Sequence, residues 1–214
     1  MDQLRRFKID PSCVFCESFG DLAYVRSRHT VVGNPTIVKS PWGPAMEFDG
    51  DNDYITLSPG VGESTRFSAG TQDFTILTMF RPDPNRLGGV IFSNEDGVDD
   101  GIRYWMSGGG TMNLYLDSID TTCTVGAIQA SKWQVMACTV DRDGVATMYL
   151  DGNPNTNVQP NISGEVMSTT ITPSIGSRAY DNSLLWEGAI HSVLMFNRLV
   201  TRQELLNLST TGAF

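Results

Sequence analysis

Apolar and polar positions alternate with a period of two through most of this chain. The clearest stretch runs from Lys132 to Gly152, KWQVMACTVDRDGVATMYLDG. In an extended strand, Trp133, Val135, Ala137 and Thr139 fall on one face and Gln134, Met136, Cys138 and Val140 on the other. Val145 to Leu150 is again β-branched and aromatic. Asp141-Arg142-Asp143-Gly144 between them supplies the backbone freedom that closes a hairpin, and Asp151-Gly152-Asn153-Pro154 ends the return strand. The segment Asp73 to Arg81 sets Phe74, Ile76, Thr78 and Phe80 against Thr75, Leu77 and Met79. Apolar residues on both faces predict a central strand covered on each side.

The remaining pattern is of the same kind. Met1 to Ile9 reads as a mixed-charge arm. Cys13 to Tyr24 reads as a first edge strand and Val25 to Pro35 as a loop. Thr36 to Lys39, Ala45 to Phe48, Tyr54 to Leu57 and Gly89 to Ser93 read as strands. Ile102 to Ser107 and Met112 to Asp117 form a hairpin across Gly108-Gly109-Gly110, and Thr121 to Ala127, Thr172 to Gly176 and Leu184 to Phe196 follow as strands. Thr201-Arg202-Gln203-Glu204 has the spacing of a capping box, so Leu205, Leu206 and Leu208 belong to a short helix. Many short strands with a single late helix predict an all-β, two-sheet antiparallel jelly-roll sandwich with one short C-terminal helix. Residues 1–35 are expected as an arm and first edge strand packed on the same domain, and residues 36–214 as the sandwich.

Composition narrows the partners. Of 214 residues, 40% are hydrophobic and 18% charged, with 21 Gly and 10 Pro, which suits a turn-rich β protein. The net charge of −9 and the lack of a basic run argue against nucleic acid. Cations, proteins and neutral sugars remain. No apolar run reaches the roughly 18 residues a membrane span needs. The opening MDQLRRFKIDPSCVF has no apolar signal core, so the chain is expected in a cytoplasm or as part of a particle assembled there. On that expectation the sequons at Asn161 and Asn207 carry no meaning.

Six segments, in order, resemble one family. They are Ala45-Met46-Glu47-Phe48-Asp49-Gly50 with Asp53-Tyr54-Ile55; Phe74-Thr75-Ile76 through Arg81-Pro82; Trp133 to Val140; Tyr149-Leu150-Asp151-Gly152; Ile175-Gly176-Ser177-Arg178; and Gly188-Ala189-Ile190 through Phe196-Asn197-Arg198-Leu199. Together they resemble a laminin-G-like domain of the concanavalin A-like lectin/glucanase superfamily, over roughly residues 42 to 208. The resemblance implies a concanavalin A-like sandwich with Trp133 and Trp186 packing its core. It leaves function open, because this fold carries lectins, adhesion modules, hydrolases and virion proteins. Where relatives have an acidic pair after the last Gly-x-Ile, this chain has His191-Ser192, which puts the structural calcium site of the family in doubt. The spaced acids of the glucanase branch are missing.

Several groups are candidates for chemistry. Asp49, Asp51 and Asp53 alternate at a spacing that could hold calcium, a cation that takes oxygen ligands, or could simply form a turn. Glu95, Asp96, Asp99 and Asp100 form the densest acidic cluster. A retaining glycosidase needs two carboxyls about 5 Å apart on a firm support, whereas these four occupy a Gly-containing loop. Trp105 and Tyr104 are adjacent in a strand, so one of them faces out and can stack on a sugar ring, with core packing as the alternative. Arg178, Tyr180, Asp181 and Asn182 form a loop suited to reading a ligand. Cys13-Val-Phe-Cys16 has the spacing of half a zinc knuckle or of a redox pair, and inert thiols are the plainer reading. No Gly-x-Ser-x-Gly, His-Glu-x-x-His or Walker sequence occurs.

The reading is a non-catalytic interaction module, first a decoration protein on the capsid or fibre of a phage or virus particle, docking on protein or self-assembling. The alternative is a carbohydrate-binding module with calcium ordering its loops, and a glycoside hydrolase ranks third.

Overall fold

The computed structural model describes residues 10–58, 71–97, 101–116, 119–123, 128–154 and 171–211. Its strands build two sheets. The first contains β1 (Cys13–Ser18), β3 (Thr36–Ser40), β4 (Gly43–Asp49), β6 (Phe74–Pro82), β11 (Gln134–Val140), β12 (Ala146–Leu150), β13 (Asn153–Pro154) and β15 (Glu187–Phe196). Their order is β13-β12-β11-β6-β15-β4-β3, with β1 also paired to β15. The second contains β2 (Thr30–Val32), β5 (Tyr54–Thr56), β7 (Gly89–Ser93), β8 (Ile102–Met106), β9 (Met112–Leu116), β10 (Ile119–Cys123) and β14 (Ser174–Ile175), in the order β10-β9-β8-β7-β14-β5-β2. Every pairing between these strands is antiparallel, as the jelly-roll expectation requires.

The alternation read from the sequence decides which side chain goes where. Phe74, Ile76 and Phe80 of β6, and Met136, Cys138 and Val140 of β11, face the space between the sheets. They pack there with Phe48, Ile55, Phe92, Tyr104 and Trp186, all buried. Leu77, Met79, Val135 and Ala137 point the other way, and meet Leu194 and Phe196 of β15 on the outer face of the first sheet. Helix α2 (Arg202–Thr211) closes over them with Leu205 and Leu208. The capping box forms: the Thr201 N–H donates to Glu204 Oε2 at 2.7 Å, and the Glu204 N–H donates to Thr201 Oγ1 at 3.3 Å. Arg198 fastens this helix to the start of β1, donating to Glu204 Oε1 at 2.7 Å and to Asp10 Oδ2 at 2.9 Å.

Four local expectations differ. The loop expected at Val25 to Pro35 holds strand β2, because Thr30 to Val32 pairs with Tyr54 to Thr56 of β5. The first strand stops at Ser18, and Leu22–Arg28 is a second helix, α1. Asp21 caps it by accepting the Tyr24 N–H at 3.0 Å. The strand expected at 121–127 begins earlier, as β10 from Ile119, because its register against β9 pairs Ile119 with Leu116; residues 124–127 lie outside the described residues. Trp186 is fully buried, edge-on to Phe80 at 5.7 Å, but Trp133 is only half-buried. It stands before the first residue of β11, where Trp42 meets it at 6.0 Å and Arg81 lies 5.5 Å from its ring centre. The expected arm at residues 1–9 lies outside the described residues.

Candidate functional site

The outer face of the second sheet is built differently from that of the first. Register places Thr30, Thr56, Ser174, Ser93, Arg103 and Tyr115 opposite one another in one row across six strands. Along β8, Ile102, Tyr104 and Met106 are buried in the core, so Arg103 and Trp105 point outward. Of the two adjacent aromatics, Trp105 is the outward one. Arg103 lies between two half-exposed rings, its guanidinium carbon 5.2 Å from the centre of Trp105 and 4.9 Å from that of Tyr115. A guanidinium at these distances is attracted to the face of each ring.

Glu95 anchors this arrangement. It is only 3% exposed, and its Oε1 accepts from Arg103 Nη1 at 3.1 Å, with Arg178 Nε at 3.9 Å. Burial pushes its carboxyl above the ordinary value, against the pull of Arg103 and Arg178. Arg178 also makes a two-pronged pair with Asp181, Nε donating to Oδ1 at 3.0 Å and Nη2 donating to Oδ2. That pair holds the Asp181 carboxyl well below the usual carboxylate range. Tyr180, 42% exposed, lies under the Arg178 guanidinium at 4.5 Å.

The loop is held by its own backbone. The Arg178 N–H donates to the Ser183 carbonyl at 2.8 Å, and the Asn182 N–H donates to the Arg178 carbonyl at 2.9 Å. Asn182 makes this turn at φ 55°, a conformation Asn accepts more readily than most residues. The acidic loop packs on it from the other side. Gly97 has φ +82°, and a Cβ there would meet the Tyr180 ring at 2.8 Å, so the position has no room for a side chain.

Arg178, Tyr180, Asp181 and Trp105, separated in sequence, therefore frame one surface. Tyr104 does not join them; it points into the core. Asn182 shapes the turn from an exposed position. Arg103 and Tyr115 are functional candidates that sequence reasoning missed. The signal was there in part: alternation puts Arg103 on the face of Trp105, and the Gly108-Gly109-Gly110 hairpin sets Tyr115 opposite Arg103. Glu95 was read in a solvated acidic loop and is instead the buried centre of two arginine contacts. Asp99 and Asp100 lie outside the described residues.

Two carboxyls pushed in opposite directions are an arrangement that acid–base catalysis uses. Here, however, both Asp181 oxygens are taken by Arg178, and Oδ1 also accepts the Ser183 N–H at 3.0 Å. What the surface offers is flat aromatic area beside fixed guanidinium donors.

The aspartates proposed for calcium do not converge. Asp49 Oδ1 accepts the N–H groups of Asp51, Asn52 and Asp53 at 2.9, 3.1 and 3.2 Å. These bonds hold its carboxyl below its ordinary value against the effect of burial. Asp53 is buried, which pushes its carboxyl up; it accepts the N–H of Asn34 at 2.7 Å and of Asp49 at 3.1 Å. Asp51 is exposed. Two of the three carboxylates serve as caps on backbone N–H groups, a poor fit to a cation that takes six to eight oxygens. Among the described residues, no group of three or more His, Cys, Asp or Glu stands close enough to hold a metal ion.

Sequence comparison decides the family. The profile of the concanavalin A-like lectin/glucanases superfamily matches residues 49–206. The chain belongs to that superfamily. No curated protein matches it by sequence. Among solved structures, this superfamily member is similar to the binding domain of Paraclostridial Mosquitocidal Protein 1, with a TM-score of 0.70 and 15% identity over 94% of the chain and 52% of that structure. It is also similar to the botulinum neurotoxin serotype D binding domain, with a TM-score of 0.62 and 12% identity over 95% of the chain and 52% of that structure. Domain 4 of a GH43 extracellular arabinanase from Geobacillus stearothermophilus, in complex with arabinotriose, gives 0.66 and 14% identity over 93% of the chain and 98% of that domain. The chain thus spans about half the length of the toxin binding domains. At these identities the likeness establishes the fold, and it is a fold used in binding domains. No helix among the described residues is long and apolar enough to cross a membrane.

Proposed function

We propose that this lectin-fold chain is a non-catalytic binding module that takes a neutral glycan on the outer face of its second sheet. The observation that carries this reading is Arg103 held between the half-exposed rings of Trp105 and Tyr115, with Tyr180 and Arg178 at the rim. Aromatic rings stack on the C–H faces of sugars, and guanidinium and amide groups meet their hydroxyls. Glu95 and Asp181 together balance the charges of Arg103 and Arg178, which favours a neutral ligand over an acidic one. The arabinotriose bound by the arabinanase domain supports the same reading by analogy of fold. A glycan array on the purified chain tests it. Retention of a glycan, weakened at least about tenfold by Trp105→Ala, is the expected result. A blank array from folded protein, or binding untouched by both Trp105→Ala and Tyr180→Ala, overturns it.

Display of this module as a decoration protein on a phage or virus particle is the finer part of the proposal. The edge strand β3 supports it: its backbone edge is unpaired among the described residues, and it carries Ile37 at 42% exposure. Such an edge accepts a strand from a second copy or from a shell protein. Light scattering with calcium and with chelator tests this part. A defined trimer or larger assembly, insensitive to chelator, is expected; a monomer overturns the placement and leaves the glycan reading standing.

A further inference from the structure

Cys13 and Cys16 lie on β1, across the sandwich from the aromatic surface. In a regular strand, residues three apart point to opposite faces and their Cα atoms stand about 10 Å apart. β1 is not regular. Its pairing with β15 shifts between Cys13 and Phe15, so that Cys13 is opposite Phe196 and Cys16 is opposite Leu194. Three steps along β1 cover two steps along β15, about 6.8 Å. That is within the Cα separation a disulfide can bridge. The bulge also turns both cysteines to one face. Cys13 and Cys16 pack on the outer cluster with Leu194 and Phe196, whereas Val14 and Phe15 pack on the inner core.

Neither cysteine is in a disulfide, and both are half-buried. The Cys13 Sγ–H donates to the Phe15 carbonyl at 3.2 Å. A hydrogen bond from the Cys16 thiol holds Cys13 below its ordinary thiol value, against burial and the nearby Asp10 carboxylate. The chain just before the pair is fixed as well. Arg198 Nε donates to Ser12 Oγ at 2.9 Å, and the Asn197 N–H donates to the Ser12 carbonyl at 2.8 Å.

We infer that Cys13 and Cys16 form a redox-active pair, which closes an intramolecular disulfide across the bulge when it meets a low-molecular-weight disulfide of the glutathione class. The Cys13 thiolate attacks one sulfur of oxidised glutathione, forming a mixed disulfide and releasing one glutathione thiolate. Cys16, deprotonated, then attacks the Cys13 sulfur and releases the second. Two protein thiols are oxidised by two electrons, one glutathione disulfide is reduced to two thiols, and those thiols carry away the two protons.

The test equilibrates the full chain in glutathione buffers of graded ratio, quenches with acid, alkylates and digests with trypsin. The fragment 9–26 contains Cys13 and Cys16 and no other cysteine. The expected product is this fragment unalkylated and lighter than the dithiol by two hydrogen atoms. Its midpoint should fall at a ratio about tenfold or more towards the reducing side of that found for the same chain unfolded in guanidinium, because the fold holds the thiols together. Cys16→Ser should stop at a persistent Cys13–glutathione adduct. Equal midpoints folded and unfolded, full alkylation at every ratio, or mixed adducts alone in the unaltered chain would overturn the inference.

Discussion

The two outer faces of the sandwich come from the same alternation and end in opposite states. On the first sheet, Leu77, Met79, Val135, Ala137, Leu194 and Phe196 make an apolar surface that α2 covers. On the second, Arg103, Trp105 and Tyr115 make a polar and aromatic surface over which no described helix lies, while Ser93 and Ser174 of the same row are buried. In one case an outward apolar face recruits a helix, because exposed hydrocarbon is costly. In the other, aromatic rings are kept half-exposed by stacking arginine on them and burying the counter-charge, Glu95, beneath. The first face stabilises the fold, and the second carries the proposed glycan site.

The difference can be broken from either side. The largest effect is expected at the covered face. Phe196→Ala should lower unfolding free energy by about 3–5 kcal/mol, read by urea denaturation, while glycan binding measured well below the new midpoint stays unchanged. Next comes the buried ion pair. Arg103→Met removes a partner of buried Glu95 and should cost about 3 kcal/mol at pH 7. Because the folded carboxyl is already raised, protonation relieves it. The deficit should therefore shrink as pH falls through the raised value, and a deficit constant from pH 7 to pH 4.5 would refute the role given to Glu95.

Arg198→Ala should cost about 1 kcal/mol, since its partners are partly exposed. Glu204 and Asp10 are both held below their ordinary values, by Arg198 together with hydrogen bonds from Thr201 and Ser12 respectively. Their contribution is present above the unfolded values and is lost as pH falls through the lowered ones. The variant and the parent should thus converge in stability in strong acid. Trp105→Ala should change stability by less than about 1 kcal/mol, since its ring is half-exposed, yet weaken glycan binding. Calcium gives the smallest effect: added to the chelated chain, it should move the thermal midpoint by less than about 1 °C, because Asp49 and Asp53 already cap backbone N–H groups.

Much of this was legible in the sequence where it depended on neighbours along the chain. The period of two in Phe74 to Pro82 and Gln134 to Val140 assigns those residues to the two faces of the first sheet. Thr201 and Glu204 announce their helix by spacing alone. The short helix Leu22–Arg28 was hidden, because its seven residues give too few turns for a helical period and its one strong signal is the cap at Asp21. Trp105 was visible as one of a pair, but which of Tyr104 and Trp105 faced out depended on the partner sheet. Glu95 was opaque for a firmer reason. Its burial is produced by Arg103 on the next strand and by Arg178 more than 80 positions later. Local composition reads that stretch as solvated acid, and only tertiary closure makes it an anchor.

β15 touches β1, β4 and β6, and Thr78 reaches the Ser192 carbonyl across 114 positions of chain. On a ribosome these three strands emerge long before the one that joins them. Until β15 has left the exit tunnel, the edges of β4 and β6 that it pairs stay open, and Trp186, which lies edge-on to Phe80, has not arrived. The pairs β3-β4 and β6-β11-β12 can form as they emerge, but the first sheet is completed only around its last strand.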